Sequence, residues 1–312
     1  MLNLPRSIIT LFISFALFTS MNAETSSAAT TPATGKLFVT SFMTMHDAFF
    51  VDLANGIKHA VEAHGDRSIL LDGEHSTQKQ LKDLVEIFKQ KPAAIFLIPA
   101  THDADPLFAA AKAAHVPVIL VDTDLGNPDG TLCQVNTDNL AAGRMACAEL
   151  ARVNPKAKVG MLTFSLSKGC VDRAEGFKQE MAKHPGMTFL AGQDGHANKD
   201  GVKGVINDFL AAHPDMDAVF AINDVSAIAG IAGIEAAGRG GKITVQGVAG
   251  SREGAQAIKD GKMLSSCAQM PSVIGATAVQ VAYDHLAGKP VEKNVVVPVK
   301  LVTKANADEF LK

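Results

Sequence analysis

The chain has 312 residues, of which 47% are hydrophobic and 20% charged, and its formal net charge is −3. This is the composition of a globular protein and argues against a disordered chain, and the length accommodates two domains. Because basic residues are not in surplus, we expect neither nucleic acid nor an anionic membrane as a partner.

The N-terminus has the pattern of an export signal. Arg6 precedes an uncharged apolar run over residues 7–18, which is shorter than the about 20 residues that a membrane-spanning helix needs. We therefore predict a signal peptide over residues 1–23 and a periplasmic protein, with an uncleaved anchor as the alternative. Residues 24–35, rich in Ser, Thr and Ala, are predicted to form a flexible spacer.

Beyond this spacer, short apolar runs of strand length alternate with helical patterns, and the rhythm occurs twice. Predicted strands cover residues 37–42, 69–71, 93–98, 118–121, 158–163, 188–191, 218–222 and 243–248. Predicted helices cover residues 49–63, 78–88, 105–115, 139–153, 172–182, 202–212 and 227–236. This order predicts an α/β protein with two doubly wound parallel sheets in tandem. Ligands bind such sheets at the carboxyl ends of the strands, so a cleft is expected where two such edges face each other.

The four cysteines, Cys133, Cys147, Cys170 and Cys267, match no metal-binding spacing. An oxidising compartment permits disulfides, but a chain of this size does not require them, and no pairing follows from the sequence. Cys147 falls inside a helical pattern and is expected to be a small buried side chain.

No catalytic or cofactor pattern is found. Gly230, Gly233 and Gly238 lie in a helical run of small residues, and the chain contains no phosphate-binding loop, nucleophile elbow or HExxH motif. The run from Asp122 to Asp124 resembles a metal-binding DxD, but a loop with a helix cap or a hydroxyl acceptor is the favoured interpretation. We therefore expect no enzyme activity, no cofactor and no metal site.

Six segments in chain order resemble the ribose-type periplasmic sugar-binding proteins of transport systems. The segments are 46–50 (HDAFF), 117–122 (PVILVD), 137–139 (TDN), 172–177 (DRAEGF), 221–224 (AIND) and 266–271 (SCAQMP). The resemblance covers nearly all of the chain after residue 36. It implies a type I periplasmic binding protein fold, in which two lobes are joined by a three-segment hinge.

The resemblance also implies domain boundaries. An N-terminal lobe would comprise residues 36–137 plus 270–298, and a C-terminal lobe residues 138–269 plus 299–312. The hinge would lie near residues 136–138, 267–270 and 298–300.

The same segments imply a set of ligand-binding side chains: Asp47, Phe49, Phe50, Asp122, Arg173, Asn223 and Gln269. A sugar offers apolar C–H faces and a ring of hydroxyls, so aromatic rings and planar polar groups suit it. Alternatives remain at three positions. One Phe can belong to the core, Arg173 can pair with Asp172 or Glu175, and Gln269 can satisfy only hinge backbone.

Several positions depart from the family pattern. Thr123 and Ala249 stand where ribose-type members have an Arg and an Asp, and Asp47 replaces an Asn. Met43 or Thr44 stands where a small polar residue lines the first strand end, and Asp124 is a further candidate. The hypothesis that follows is a ligand with fewer hydroxyls than ribose on that side, or with an apolar or cationic group there.

The resemblance implies a monomeric periplasmic receptor that delivers a small polar ligand, a sugar or polyol being favoured, to an ABC permease. The alternative is a sensory protein that presents its ligand to a chemoreceptor or sensor kinase. A nucleoside, an amine or a signalling furanone remains an alternative ligand. Transcriptional regulators of the same fold are excluded, because the predicted signal peptide stands where they carry a DNA-binding segment.

Overall fold

The computed structural model describes residues 35–126, 129–196 and 199–311, without the side chain of residue 199. The predicted signal peptide (1–23) and all but the last residue of the predicted spacer (24–35) lie outside the described residues. Within the described ranges, no helix is both long and apolar enough to cross a membrane.

Strands and helices alternate along the described residues. In chain order they are β1 (Leu37–Phe42), α1 (Ala48–Ala63), β2 (Arg67–Asp72), α2 (Thr77–Ile87), β3 (Ala94–Ile98), α3 (Asp105–Ala113), β4 (Val118–Val121), β5 (Cys133–Thr137), α4 (Asn139–Val153), β6 (Lys158–Thr163), α5 (Lys168–Met181), β7 (Thr188–Asp194), α6 (Lys199–Ala212), β8 (Ala218–Ala221), α7 (Asp224–Ala236), β9 (Thr244–Ala249), α8 (Arg252–Lys259), β10 (Ser265–Ala268), α9 (Pro271–Leu286), β11 (Asn294–Val297) and β12 (Lys300–Val302).

The strands form two six-stranded sheets. The first has the order β11-β5-β4-β3-β1-β2 and the second β12-β10-β9-β8-β6-β7. All neighbours run parallel except β10 and β12, which are antiparallel. We call the first sheet with α1–α3 and α9 the N-lobe, and the second with α4–α8 the C-lobe. The predicted fold of two doubly wound parallel sheets is confirmed.

The chain passes between the sheets three times. It leaves the N-lobe after β5, returns after β10 and leaves again between β11 and β12. Each lobe is therefore built from two separate stretches of chain, and the boundaries given from the sequence stay a prediction.

Both faces of each sheet are covered by helices. In the N-lobe, α1 and α9 enclose one buried cluster, and α2 and α3 enclose another. In the C-lobe, α4 and α5 cover one face, while α6, α7 and α8 cover the other. The continuous burial of β3, β4 and β8 explains why these strands are unbroken apolar runs in the sequence.

Four predicted helix bounds are wrong by two residues or more. Helix α5 begins at Lys168 instead of 172 and α6 at Lys199 instead of 202. Helix α7 begins at Asp224 instead of 227, because Asn223 caps it. Helix α3 ends at Ala113, before the predicted 115, since His115 adopts a left-handed backbone with φ 56°.

All four cysteines are free and buried. Desolvation raises the pKa of Cys147 to about 12 and that of Cys133 to about 11, so both thiols stay protonated near neutral pH.

Helices α4 and α5 pack backbone to backbone, which makes Gly143 sensitive to substitution. A Cβ at Gly143 would overlap the carbonyl oxygen of Arg173, whereas one at Gly204, on α6, would meet nothing within 4 Å. We expect Gly143→Ala to lower the free energy of unfolding by about 2–3 kcal/mol through overpacking. Gly204→Ala, the matched control, should raise it by about 0.5–1 kcal/mol. Denaturant unfolding of both variants measures this, and equal stability of the two would contradict the packing account.

Candidate functional site

The candidate residues gather at the carboxyl edges of the two sheets. On the N-lobe, Asp47, Phe49 and Phe50 begin α1, and Asp122 follows β4. On the C-lobe, the candidates stand in the first turns of α5 or at the ends of β8, β9 and β10: Arg173, Asn223, Ala249 and Gln269.

Asp122 connects the N-lobe edge to the hinge. It is half-buried, with a left-handed backbone of φ 48°. Gln269 Nε2 donates to Asp122 Oδ1 at 3.4 Å and to Thr137 Oγ1 at 3.2 Å. Desolvation raises the pKa of Asp122 to about 6, against the opposing effects of the Arg173 charge and a hydrogen bond from Thr137. Asp122 and Arg173 therefore interact electrostatically across the two lobes.

Arg173 is held by its own lobe. It is 6% exposed, and its Nε donates to Asn139 Oδ1 while its Nη1 donates to the Ile222 carbonyl, both at 2.8 Å. These two bonds fix the plane of the guanidinium and leave Nη2 for another partner.

The alternative partners of Arg173 are engaged elsewhere. Asp172 binds Lys168, and Glu175 accepts a hydrogen bond from Gln179. The geometry thus disfavours the alternative in which Arg173 serves an ion pair within its own helix.

Asn223 and Gln269 each combine a structural hydrogen bond with a second polar group at the sheet edge. Asn223 Oδ1 caps α7 by accepting from the Ser226 N–H at 2.8 Å, which leaves Nδ2 as the donor toward the edge. Gln269 is 4% exposed, and its backbone N–H donates to the Ala249 carbonyl at 3.1 Å. Because its side chain also reaches Asp122 and Thr137, Gln269 does more than satisfy hinge backbone.

The two candidate aromatic rings are half-buried and meet edge to face. Their centroids are 5.6 Å apart with an interplanar angle of 77°. Phe50 also contacts the fully buried Phe42, at 6.3 Å, so Phe50 extends the N-lobe core. Phe49 also packs against the N-lobe core and remains half-buried. The exposed Asp47 accepts from the Phe49 N–H at 2.8 Å and so caps α1.

The less certain candidates have local roles. Met43 packs against the N-lobe core, and Thr44 is buried, with its Oγ1 accepting from the His46 N–H. Thr123 is half-buried beside Asp122, and Asp124 Oδ1 accepts from the Gly126 N–H at 2.8 Å. Among the described residues, no group of three or more His, Cys, Asp or Glu side chains is arranged to hold a metal ion.

Two structural partners were missed by sequence reasoning. Asn139 orients Arg173, and the 2% exposed Asp224 holds the C-lobe edge together. Asp224 accepts from Ser266 Oγ at 2.6 Å and from the N–H and Oγ of Ser251 at 2.8 and 2.9 Å, and desolvation raises its pKa. Both residues lie inside the family-like segments, but only the fold brings their partners near.

Two surface hollows of about 320 and 450 Å³ lie on the C-lobe and include none of the candidate residues. One is lined by the end of α5 and the start of β7, the other by residues around α7, α8 and β9. Because neither hollow contains a candidate residue, the site is assigned to the sheet edges, where the candidate side chains lie.

Comparison with known proteins agrees with this architecture. The family model of the periplasmic binding protein domain matches residues 38–290. The chain belongs to the periplasmic binding protein family. The ribose import binding protein of Salmonella typhimurium is 32% identical over 269 residues, which cover 84% of this chain and 88% of that protein. The ribose import binding protein of Bacillus subtilis is 32% identical over 271 residues, covering 85% and 86%.

A solved structure gives the same result. An ABC transporter solute-binding protein from Agrobacterium vitis, with bound α-D-tagatopyranose, is 28% identical to this periplasmic binding protein and superposes with a TM-score of 0.76. The superposition covers 87% of this chain and 95% of that one. The resemblance inferred from the six segments is thereby confirmed. The protein is a solute-binding component of a transport system and not an enzyme.

Proposed function

We propose that this protein captures a sugar or polyol between its lobes and delivers it to an ABC permease. The observation that carries the proposal is the hydrogen bond from Gln269 Nε2, after β10, to Asp122 on the N-lobe, with the charge of Arg173 acting on the same carboxyl. Two relatives support a sugar or polyol as the ligand. One is a xylitol-binding protein, 25% identical, and the other a D-ribose/D-allose-binding protein, 27% identical.

Each candidate group has a distinct task in this proposal. Asp122 accepts from ligand hydroxyls, while Arg173 Nη2 and Asn223 Nδ2 donate to ligand oxygens. Phe49 contacts a C–H face of the ligand. A ligand bridging these groups stabilises the closed arrangement of the lobes by its differential affinity for that state.

Delivery to a permease is favoured over sensing because the relatives are import proteins. In this proposal the chain is exported by the signal peptide at residues 1–23 and acts as a monomer in the periplasm. Presentation to a chemoreceptor or sensor kinase is the second candidate, and binding of the purified protein to one partner or the other separates the two.

The proposal is tested by a thermal-shift screen against pentoses, hexoses, polyols, nucleosides and small amines, followed by calorimetric titration. A ligand at about 100 times its Kd adds roughly 2.7 kcal/mol, which raises the Tm by several degrees. A shift with a sugar or polyol is expected. A response restricted to nucleosides or amines would refute the ligand class while leaving the fold and the family unaffected.

Binding is also expected to depend on pH through Asp122. Because its pKa lies at about 6, the acceptor carboxylate is present above that pH and lost below it. The Kd should be constant above about pH 7 and rise up to about tenfold for each pH unit below about 6. Titrations at several pH values measure this, with Asp122→Asn, whose weaker binding should not vary with pH, as the control.

The stability of the unliganded protein should change with pH in the direction opposite to the affinity, falling as the pH rises. A pKa raised above the ordinary value means that the folded state binds more protons than the unfolded state between about pH 4 and 6. The contribution of Asp122 to stability is therefore present at the acid end of this window and is lost as the pH rises.

For the affinity, a Kd that is unchanged from about pH 7.5 to about pH 5 would show that the ligand does not use the Asp122 carboxylate.

A further inference from the structure

One corner of the C-lobe edge, at Ala249, is less polar than the rest of the candidate site. Ala249, at the end of β9, is half-buried, and its carbonyl accepts the backbone N–H of Gln269. Since the Gln269 side chain reaches Asp122, this corner borders the ligand-binding groups. The other C-lobe positions contribute the donors of Arg173 and Asn223, whereas this one contributes a methyl group.

The polar groups around Ala249 are engaged with one another. Ser266 Oγ donates to Asp224 at 2.6 Å and accepts from the Gly250 N–H at 2.9 Å. Ser251 Oγ donates to Asp224 at 2.9 Å and accepts from the Gly254 N–H at 3.0 Å. In this closed network both serine hydroxyl protons are donated to Asp224, so no side-chain donor remains for a ligand oxygen, and a ligand hydroxyl placed here would lose water without gaining a side-chain donor.

The backbone conformation of Ala249 is a second unusual feature of this corner. Ala249 has φ 151°, in a region that favours glycine, and Gly250 follows with φ 68°. A side chain in such a conformation is strained, and strained residues concentrate at binding sites. The Ala249 methyl therefore stands at a position where glycine would relieve strain.

We propose that the ligand presents a deoxygenated edge, a methyl or methylene group, to Ala249, and that the ligand class is a deoxy sugar or deoxy polyol. Its hydroxyls then face Asp122, Arg173 and Asn223. This inference rests on the proposed function and narrows it. Burying an unpaired hydroxyl costs about tenfold to a hundredfold in affinity, so the deoxy compound should bind tighter than its hydroxylated parent by about that factor.

The test is calorimetric titration of the protein with matched pairs that differ by one hydroxyl: D-fucose and D-galactose, L-rhamnose and L-mannose, 5-deoxy-D-ribose and D-ribose. The deoxy member is expected to bind at least about tenfold tighter in the pair that fits the site. Equal or tighter binding of the hydroxylated member in every pair that binds would overturn the inference and leave the proposed function standing. No binding by any sugar or polyol would instead overturn the proposed function, and this inference with it.

Two variants locate the effect at Ala249. Ala249→Asn supplies a donor and an acceptor without adding charge beside Asp224. It should reverse the preference toward the hydroxylated member, whereas Ala249→Gly, the matched control, should retain the wild-type direction. An unchanged preference in Ala249→Asn would overturn the inference. If that variant does not fold, Ala249→Ser makes the same test, with the Tm of each variant recorded first.

Discussion

Arg173→Met is expected to weaken ligand binding at least about 30-fold and to lower the free energy of unfolding by about 2–3 kcal/mol. The guanidinium is the buried cation that approaches Asp122 across the lobes, and a hydrogen bond to a charged group is worth about 1.5–3 kcal/mol. Met keeps the apolar stem but leaves Asn139 Oδ1 and the Ile222 carbonyl without their donor.

Calorimetric titration and denaturant unfolding measure the two effects of this substitution separately. Since Arg173 opposes the rise in the pKa of Asp122, its removal should also move the pH midpoint of any residual binding upward. Arg152→Met is the control, because that side chain is exposed on α4 and pairs only with Glu149 at the surface. Unchanged affinity in Arg173→Met, with the control also unchanged, would remove Arg173 from the site.

Asp224→Ala is expected to destabilise the protein by about 3 kcal/mol, which lowers the Tm by about 6–12 °C. The substitution leaves the hydroxyls of Ser251 and Ser266 and one backbone N–H without their acceptor in a buried region. Asp224→Asn keeps the shape but turns a donor toward the Ser251 N–H, so a smaller loss is expected.

Thermal unfolding measures these losses, and Asp208→Ala, at an exposed position on α6, is the control that should leave the Tm unchanged. The role assigned to Asp224 is to hold the C-lobe edge in shape. A variant with normal Tm and abolished ligand binding would assign Asp224 to the ligand instead.

The parts of the fold that were predictable are those where local pattern and tertiary environment agree. Strands β3, β4 and β8 are buried on both faces and are continuous apolar runs in the sequence. Strands β5 (CQVNT) and β10 (SSCA) were not predicted, because they are short and carry polar residues. Their strand conformation depends on pairing with other parts of the chain. Strand β5, for example, pairs with β11, which lies near the other end of the chain.

In the candidate site, too, some features could be predicted from the sequence and others could not. Asp122, Asn223 and Gln269 were predicted from the resemblance of their segments to the ribose-type sugar-binding proteins, and all three follow strands, at the sheet edge where ligands bind. The partners that set their geometry were not predictable, because Arg173 binds Asn139 and Ile222, which are 34 and 49 residues away. The closed network around Asp224 likewise required the fold, and it is this network that gives the corner at Ala249 its apolar character.

The most direct test of capture between two lobes is small-angle X-ray scattering of the purified protein, with and without a saturating amount of the best-binding sugar or polyol. A reproducible decrease in the radius of gyration on ligand addition is expected, since the ligand bridges groups on both lobes and favours their closed arrangement. Arg173→Met under the same conditions should show little or no decrease. A radius of gyration that stays constant in the saturated wild-type protein would contradict capture by closure.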